Sequence, residues 1–444
     1  MIAAEEAGFV YRLECTQCGS TYSGSSGAYQ CAQCGSGLKV CYDYAEMAGR
    51  LTHAELASRL PGLWRYRELL PVEVGADVVT LNEGGTRLQR CSKVAESIGV
   101  ADLYAKDETG NPTGTYKDRP AAVGITVAEH IGAKMAAIAS DGNAAPSVAA
   151  YAAKAGLQCF AFMPNTTPPE RLIQVQMYGA PVITLDGSVN ECIDLVEKGC
   201  RLYGWHHMST AGPVNPYQRE GSKTIAYEVC EQVAWQAPDW VAAPVGGGGL
   251  VAALWQGFIE LKALGLTDRL PRMLAAQAAG CAPLVQAFKA GDPPDKIRRW
   301  ENPETVATTI EVPFPLDGAM ALQAVRDSGG TAVDVEDREI LSMTRQLSSS
   351  EGILAEPTGA ASMAAVAKAR SAGVLGDGVI VSVVTGTGLK TLSLFASLWG
   401  MGKPSNSIKP ADACPAHEQS RLKIERDVLA WAQSIYPSAA IAHL

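Results

Sequence analysis

Nowhere in this chain of 444 residues do about 18 consecutive apolar residues occur, so no membrane-spanning helix is expected. Lysine and arginine form no block: 37 basic side chains against 46 acidic ones leave a formal charge of −9, which argues against an electrostatic grip on nucleic acid or a membrane surface. Met1 to Gly8 carry Glu5 and Glu6 and lack the basic start and apolar stretch of a secretory signal. No internal repeat of fixed period appears. These absences point to small-molecule chemistry in the cytoplasm, with no nucleic acid and no membrane as partner. Cysteine is not scarce at 12 residues, but four of them fall in two tight pairs and the others are scattered singly, which fits reduced thiols.

With 47% hydrophobic residues, a chain of this length has ample core for more than one domain. Residues 1–45 are polar, rich in Gly and Ser, and too poor in apolar side chains to build a core unaided. Residues 46–404 alternate strand-like and helix-like segments, the pattern of an α/β protein with largely parallel sheets. Met135–Ala139, Cys159–Met163, Val182–Leu185, Trp240–Val245 and Val379–Val384 are short and unalternating, as strands buried on both faces are. Ala-rich helices are expected at Ala144–Ala155 and Ala360–Ala372. The tail from residue 405 holds a loop and an amphipathic helix expected over Gln419–Ser434.

The run Asn111-Pro112-Thr113-Gly114-Thr115-Tyr116-Lys117-Asp118-Arg119 presents one lysine in an unusual setting. Asn-Pro-Thr-Gly is a turn signal, and Ala121 to Gly132 reads as helix, so Lys117 stands at a loop-to-helix junction held by backbone. A lysine amine in such a place can condense with an aldehyde to a Schiff base. Taken alone, a solvated lysine is the plainer reading.

The run resembles the Schiff-base lysine motif of the threonine synthase branch of the fold type II pyridoxal-phosphate enzymes, whose usual form is NPTGSFKDR. Thr115 and Tyr116 are the two differences. From about Leu81 to Lys390 the order of motifs is similar too, including Asn82-Glu83-Gly84-Gly85-Thr86 upstream. The resemblance implies two open, mostly parallel α/β sheet domains with pyridoxal 5′-phosphate in the cleft between them, and Lys117 as its covalent anchor. It also implies a large domain of residues 46–126 and 213–404, a small mobile domain of residues 127–212, a C-terminal extension 405–444, and a homodimer.

Further motifs fit that cofactor. Gly246-Gly247-Gly248-Gly249 follows a strand and opens an Ala-rich helix, so backbone N–H groups can converge on an anion at a helix start. Alone, it could equally be a tight strand-to-helix turn. Ser140-Asp141-Gly142-Asn143-Ala144 repeats the strand–turn–helix arrangement, with a helix cap by Asp141 or Asn143 as the ordinary reading. By resemblance, Asn143 bonds the cofactor's ring hydroxyl, and Ser140, Asp141 and Ala144 lie about the substrate carboxylate. Thr385, in Thr385-Gly386-Thr387-Gly388-Leu389-Lys390, is implied beside the ring nitrogen. A neutral hydroxyl there favours expulsion of a β or γ leaving group over transamination.

The substrate signature departs from the family. Its usual NSVNPYRLEGQKT is here Gly212-Pro213-Val214-Asn215-Pro216-Tyr217-Gln218-Arg219-Glu220-Gly221-Ser222-Lys223-Thr224. The Asn, Ser and Arg that help bind the phosphate of O-phosphohomoserine have become Gly212, Pro213 and Gln218. Asp141 replaces a hydroxyl facing the same phosphate, where a carboxylate is repulsive. Arg219 rescues anion binding only if the segment shifts register. Thr387 replaces the His of the family's TGHGLK. The expected activity is β or γ elimination or replacement on an unphosphorylated amino acid, a carbon–oxygen lyase chemistry, with Gln218 among the substrate contacts. Alternatives are a genuine threonine synthase, a serine/threonine ammonia-lyase (whose phosphate loop the glycine run also resembles), or a non-catalytic binding protein of the same fold.

Cys15-Thr16-Gln17-Cys18 and Cys31-Ala32-Gln33-Cys34 are C-x-x-C knuckles, each followed by Gly. Four thiolates at this spacing match tetrahedral, structural zinc. His206, His207 and Cys281 read as packed residues with no catalytic role.

Overall fold

The computed structural model describes residues 11–399 apart from Val74. The helix expected over Gln419–Ser434 lies outside the described residues, as does the whole extension from 405. Chain order gives an antiparallel ribbon of β1 (Arg12–Cys15), β2 (Thr21–Ser23) and β3 (Leu38–Cys41), then β4 (Arg87–Arg90) and β5 (Asp102–Asp107). There follow β6 (Met135–Ala139), β7 (Gln158–Pro164), β8 (Val182–Leu185) and β9 (His206–His207). Last come β10 (Trp240–Pro244), β11 (Arg272–Ala278), β12 (Thr331–Val335) and β13 (Val379–Val384).

Two parallel sheets carry the fold. The larger runs β12-β11-β10-β13-β5-β4, with only the edge strand β4 antiparallel, and the smaller runs β8-β7-β6-β9. Strands such as β10 are buried along their whole length because helices cover both faces. One face of the larger sheet packs Val241, Ala243 and Val383 against helices Gln218–Gln232 and Gly249–Ala263, and the other packs Ala242, Ile380 and Val384 against helix Pro357–Ser371. The five strands expected from apolar runs are all present. The helices expected at Ala121–Gly132 and Ala360–Ala372 form over Asp118–His130 and Pro357–Ser371, and Ala144–Ala155 forms at the expected bounds.

The ribbon borrows its core from the body of the protein. Leu13, Cys15, Cys31 and Leu38 pack with Val127 and Tyr217, and the Tyr217 hydroxyl donates to the Ala28 carbonyl at 3.0 Å. The Tyr29 hydroxyl also meets the ring of buried His206 on β9. Each aliphatic side chain so buried is worth about 1.5–3 kcal/mol. Among the described residues no helix is long and apolar enough to cross a membrane.

Candidate active site

Lys117 immediately precedes helix Asp118–His130, at a junction pinned from three sides. Behind it, Asp118 accepts from the Thr113 amide at 2.7 Å and the Thr113 hydroxyl at 2.6 Å, closing the turn. Beside it, the Tyr116 amide donates to the Thr385 carbonyl at 3.0 Å, and the Thr387 amide donates to Gly114 at 2.9 Å. Gly114 has φ +79°, and a Cβ there would lie 2.6 Å from the Thr387 methyl, so neither a left-handed turn nor the close approach admits a side chain. Below it, Arg119 is fully buried and bonds Glu108 and Glu228 with both edges of its guanidinium, while Lys106 bonds Glu228 at 2.7 Å. The motif's Arg119 thus anchors the helix that starts immediately after Lys117. The amine itself donates to Thr210 Oγ1 at 3.0 Å.

Lys117 opens on a cavity of about 220 Å³ between the two sheets, lined also by Ser140–Ala144, Ser209–Ala211, Arg219, Gly246–Gly249, Asp317, Glu356 and Thr385. None of the four amides of Gly246–Gly249 donates to a partner among the described residues, and the loop leads directly into helix Gly249–Ala263. Converging amides at a helix start form a site for an anion. Asn143 makes no side-chain cap to its helix; its Nδ2 donates to Glu356 Oε1 at 2.7 Å and its Oδ1, buried, has no partner. The Thr385 hydroxyl is also buried without a partner while its carbonyl holds the Lys117 run. Such orphaned polar atoms carry a desolvation cost unless a bound group satisfies them.

Charge in the cavity is mostly negative on the protein side. Burial raises the carboxyl pKa values of Asp141, Asp317 and Glu356, against the pull of Arg171 on Asp141 and Glu356 and of Arg219 on Asp317. Buried Arg171 donates to the Asp141 carbonyl at 3.0 Å, fixing the turn before Asn143. Lys390, buried behind Glu356, is pushed down to about 8 by desolvation.

The chain belongs to the pyridoxal-phosphate-dependent enzyme family. The family model described as pyridoxal-phosphate dependent enzyme matches residues 79–386. The threonine synthase of Methanocaldococcus jannaschii is 40% identical over 380 residues, covering 85% of this chain and 92% of that protein. The threonine synthase of Methanosarcina acetivorans is 40% identical over 383 residues, covering 86% and 92%. Among solved structures, maize serine racemase superposes with a TM-score of 0.60 at 24% identity, over 71% of this chain and 92% of that one. A threonine deaminase from Solanum lycopersicum gives 0.58 at 21% identity, over 70% and 83%, a likeness of fold.

For a pyridoxal-phosphate-dependent enzyme, a lyase in class, the cavity offers a lysine amine, four unbonded glycine amides, an orphaned asparagine oxygen and an orphaned hydroxyl. These match the aldehyde, the phosphate, the ring hydroxyl and the ring nitrogen, so the residues present fit the cofactor. One sequence expectation fails. Gln218 does not line the cavity: it is fully buried, packs on Gly124 and donates to the Ser209 carbonyl at 2.8 Å. A helix turns about 100° per residue, so its neighbour Arg219 faces the cavity without any shift in register. Sequence reading also passed over Thr210 and Asp317, and left Glu356 without a role.

Away from this cavity, the Sγ atoms of Cys15, Cys18, Cys31 and Cys34 lie within 4.8 Å of one another. Cys15–Cys34 and Cys18–Cys31 are 3.4 and 3.5 Å apart, near the edge of about 3.8 Å of a tetrahedron with ~2.3 Å zinc–sulfur bonds. The Gln17 and Cys18 amides point at Cys15 Sγ at 3.4 Å. The four sulfurs suit a metal ion of tetrahedral preference.

Proposed function

We propose that this enzyme carries out β or γ elimination or replacement on an amino acid whose side chain bears no phosphate. Pyridoxal phosphate, when bound, supplies an electron sink for charge developing at the substrate Cα. Lys117 would anchor it, and its amine, oriented by Thr210, would be placed to move the proton at the substrate Cα. Gly246–Gly249 would hold its phosphate through their amides. Asn143 would hold the ring hydroxyl and Thr385 the ring nitrogen, which would satisfy their orphaned polar atoms. A neutral hydroxyl at Thr385 would leave the cofactor a milder electron sink, which would favour loss of a leaving group from the substrate side chain. The turn Ser140–Ala144 receives the substrate carboxylate. The four cysteines of the ribbon would hold a structural zinc as thiolates, leaving no position open to water.

One observation carries this reading: the Lys117 amine, the unbonded glycine amides and the two orphaned polar atoms all open on one cavity. Assay of the purified enzyme with O-phosphohomoserine tests the substrate choice, and efficient threonine formation contradicts it. The 40% identity to threonine synthases favours that activity as the second reading. Product analysis separates the cases: an amino acid product means synthesis or replacement, a keto acid with ammonia means simple elimination.

A further inference from the structure

Gly212 and Arg219, two positions where the substrate segment departs from the resembled family, meet in space, and Asp317 joins them. The Gly212 amide donates to both Asp317 oxygens, at 3.1 and 3.2 Å, and Arg219 Nη1 lies 3.5 Å from Asp317 Oδ1 and 2.9 Å from Met320 Sδ. A Cβ at position 212 would sit 2.6 Å from Arg219 Nη1 and 2.7 Å from Asp317 Oδ1. A side chain there, asparagine included, would have to push the ends of Arg219 and Asp317 aside. The missing asparagine and the added ion pair therefore occupy the same space.

The pair also touches the glycine loop. The Asp317 amide donates to the Gly247 carbonyl at 2.8 Å, and its Oδ2 is 3.2 Å from where a Cβ of Gly249 would lie. Arg219 and Asp317 both line the cavity, and their side chains are 10% and 2% exposed. Arg219 thus brings a cation to the cleft whose charge is already answered from within the protein. A second anion entering beside it meets the Asp317 carboxylate, and the other cation lining the cavity among the described residues, Lys117, is the amine assigned above to the cofactor, in surroundings where charge interactions are poorly screened.

We propose that Arg219 and Asp317 are the specificity-determining pair of this cleft, an internal ion pair that fills an anion site and selects amino acids whose side chain carries no anionic group. The inference rests on the function proposed above. It assigns the discrimination to two residues and makes Asp317, rather than the loss of an arginine, its main source.

The test is spectroscopic titration of the holoenzyme with two ligands, O-phospho-L-homoserine and the uncharged L-2-aminopentanoate, following the cofactor band. Wild type should bind the uncharged ligand at least tenfold more tightly. Asp317→Asn keeps the shape and the acceptor for Gly212 but frees the Arg219 cation, and should improve the phosphorylated ligand at least tenfold relative to the uncharged one. Adding Arg219→Met should cancel that gain, the coupling a double-mutant cycle isolates. Wild type binding both ligands equally overturns the proposal without recourse to any variant. So does an Asp317→Asn enzyme in which both affinities move by the same factor, the result of a merely structural pair. A protein whose cofactor band responds to no amino acid at all overturns instead the reading on which the proposal stands.

Discussion

Lys117 Nζ donates to Thr210 Oγ1 at 3.0 Å, and Thr210 belongs to the segment that the N-terminal ribbon grips. Four residues upstream of Thr210, His206 meets Tyr29; three residues downstream, Pro213 backbone atoms come within 2.9 Å of a Cβ placed on Gly37; and Tyr217 bonds Ala28. The amine and the ribbon therefore share one short stretch of chain. Thr210→Val should keep the cofactor yet slow turnover about two- to tenfold, the scale of one neutral hydrogen bond. Steady-state kinetics with a spectrum of the variant checks both parts; a variant that loses its cofactor gives Thr210 a larger role than orientation.

Chelation or Cys15→Ser should lower thermal stability and raise hydrogen exchange in residues 205–217 while the cofactor stays bound, since the four sulfurs lie outside the cavity. Exchange measured by mass spectrometry, with the absorbance of the retained cofactor, decides it. Release of cofactor in step with metal contradicts a structural role for the ribbon.

His206 and His207 set a limit at low pH. Burial pushes them down to about 3 and about 4, and for His206 the neighbouring His207 adds to the effect. In the unfolded chain both titrate near 6.5, so the unfolded state binds more protons as pH falls below that value. Their contribution is fully present above about pH 6.5 and is lost as pH falls towards 4, at up to ~1.4 kcal/mol per pH unit for each histidine. Denaturant melts between pH 7 and 4.5 should show this slope, and His207→Gln should flatten it. Equal slopes for the two proteins contradict the assignment.

Arg119 faces two buried carboxylates, Glu108 and Glu228. Arg119→Met should destabilise by about 3–5 kcal/mol, because it leaves buried charge uncompensated. Urea denaturation at neutral pH measures it, and a loss below about 1 kcal/mol contradicts the network's role in seating the Lys117 junction.

What the sequence made legible follows from local physics. Unalternating apolar runs mark β6, β7, β10 and β13 because strands buried on both faces need no polar side. The same logic hides β5: Asp102-Leu103-Tyr104-Ala105-Lys106-Asp107 looks solvated, yet Lys106 and Asp107 are buried as partners of Glu228 and Arg87. Glycine loops, the lysine junction and the cysteine knuckles are contiguous patterns and could be read. Asp317 could not, because it reaches the cavity from a Pro-rich run about 100 residues beyond Arg219 with no pattern of its own. Arg219 rather than Gln218 lines the cavity because their facing depends on the phase of one helix, which a motif does not encode.

The function proposed for this cleft requires Lys117 to carry the cofactor. Treatment of the holoenzyme with borohydride, followed by peptide mass spectrometry, tests it most directly. The expected result is the mass of a reduced pyridoxyl phosphate group on the peptide bearing Lys117, and none in Lys117→Ala. A modified lysine elsewhere, or an unmodified Lys117 in a protein that retains its cofactor, contradicts it.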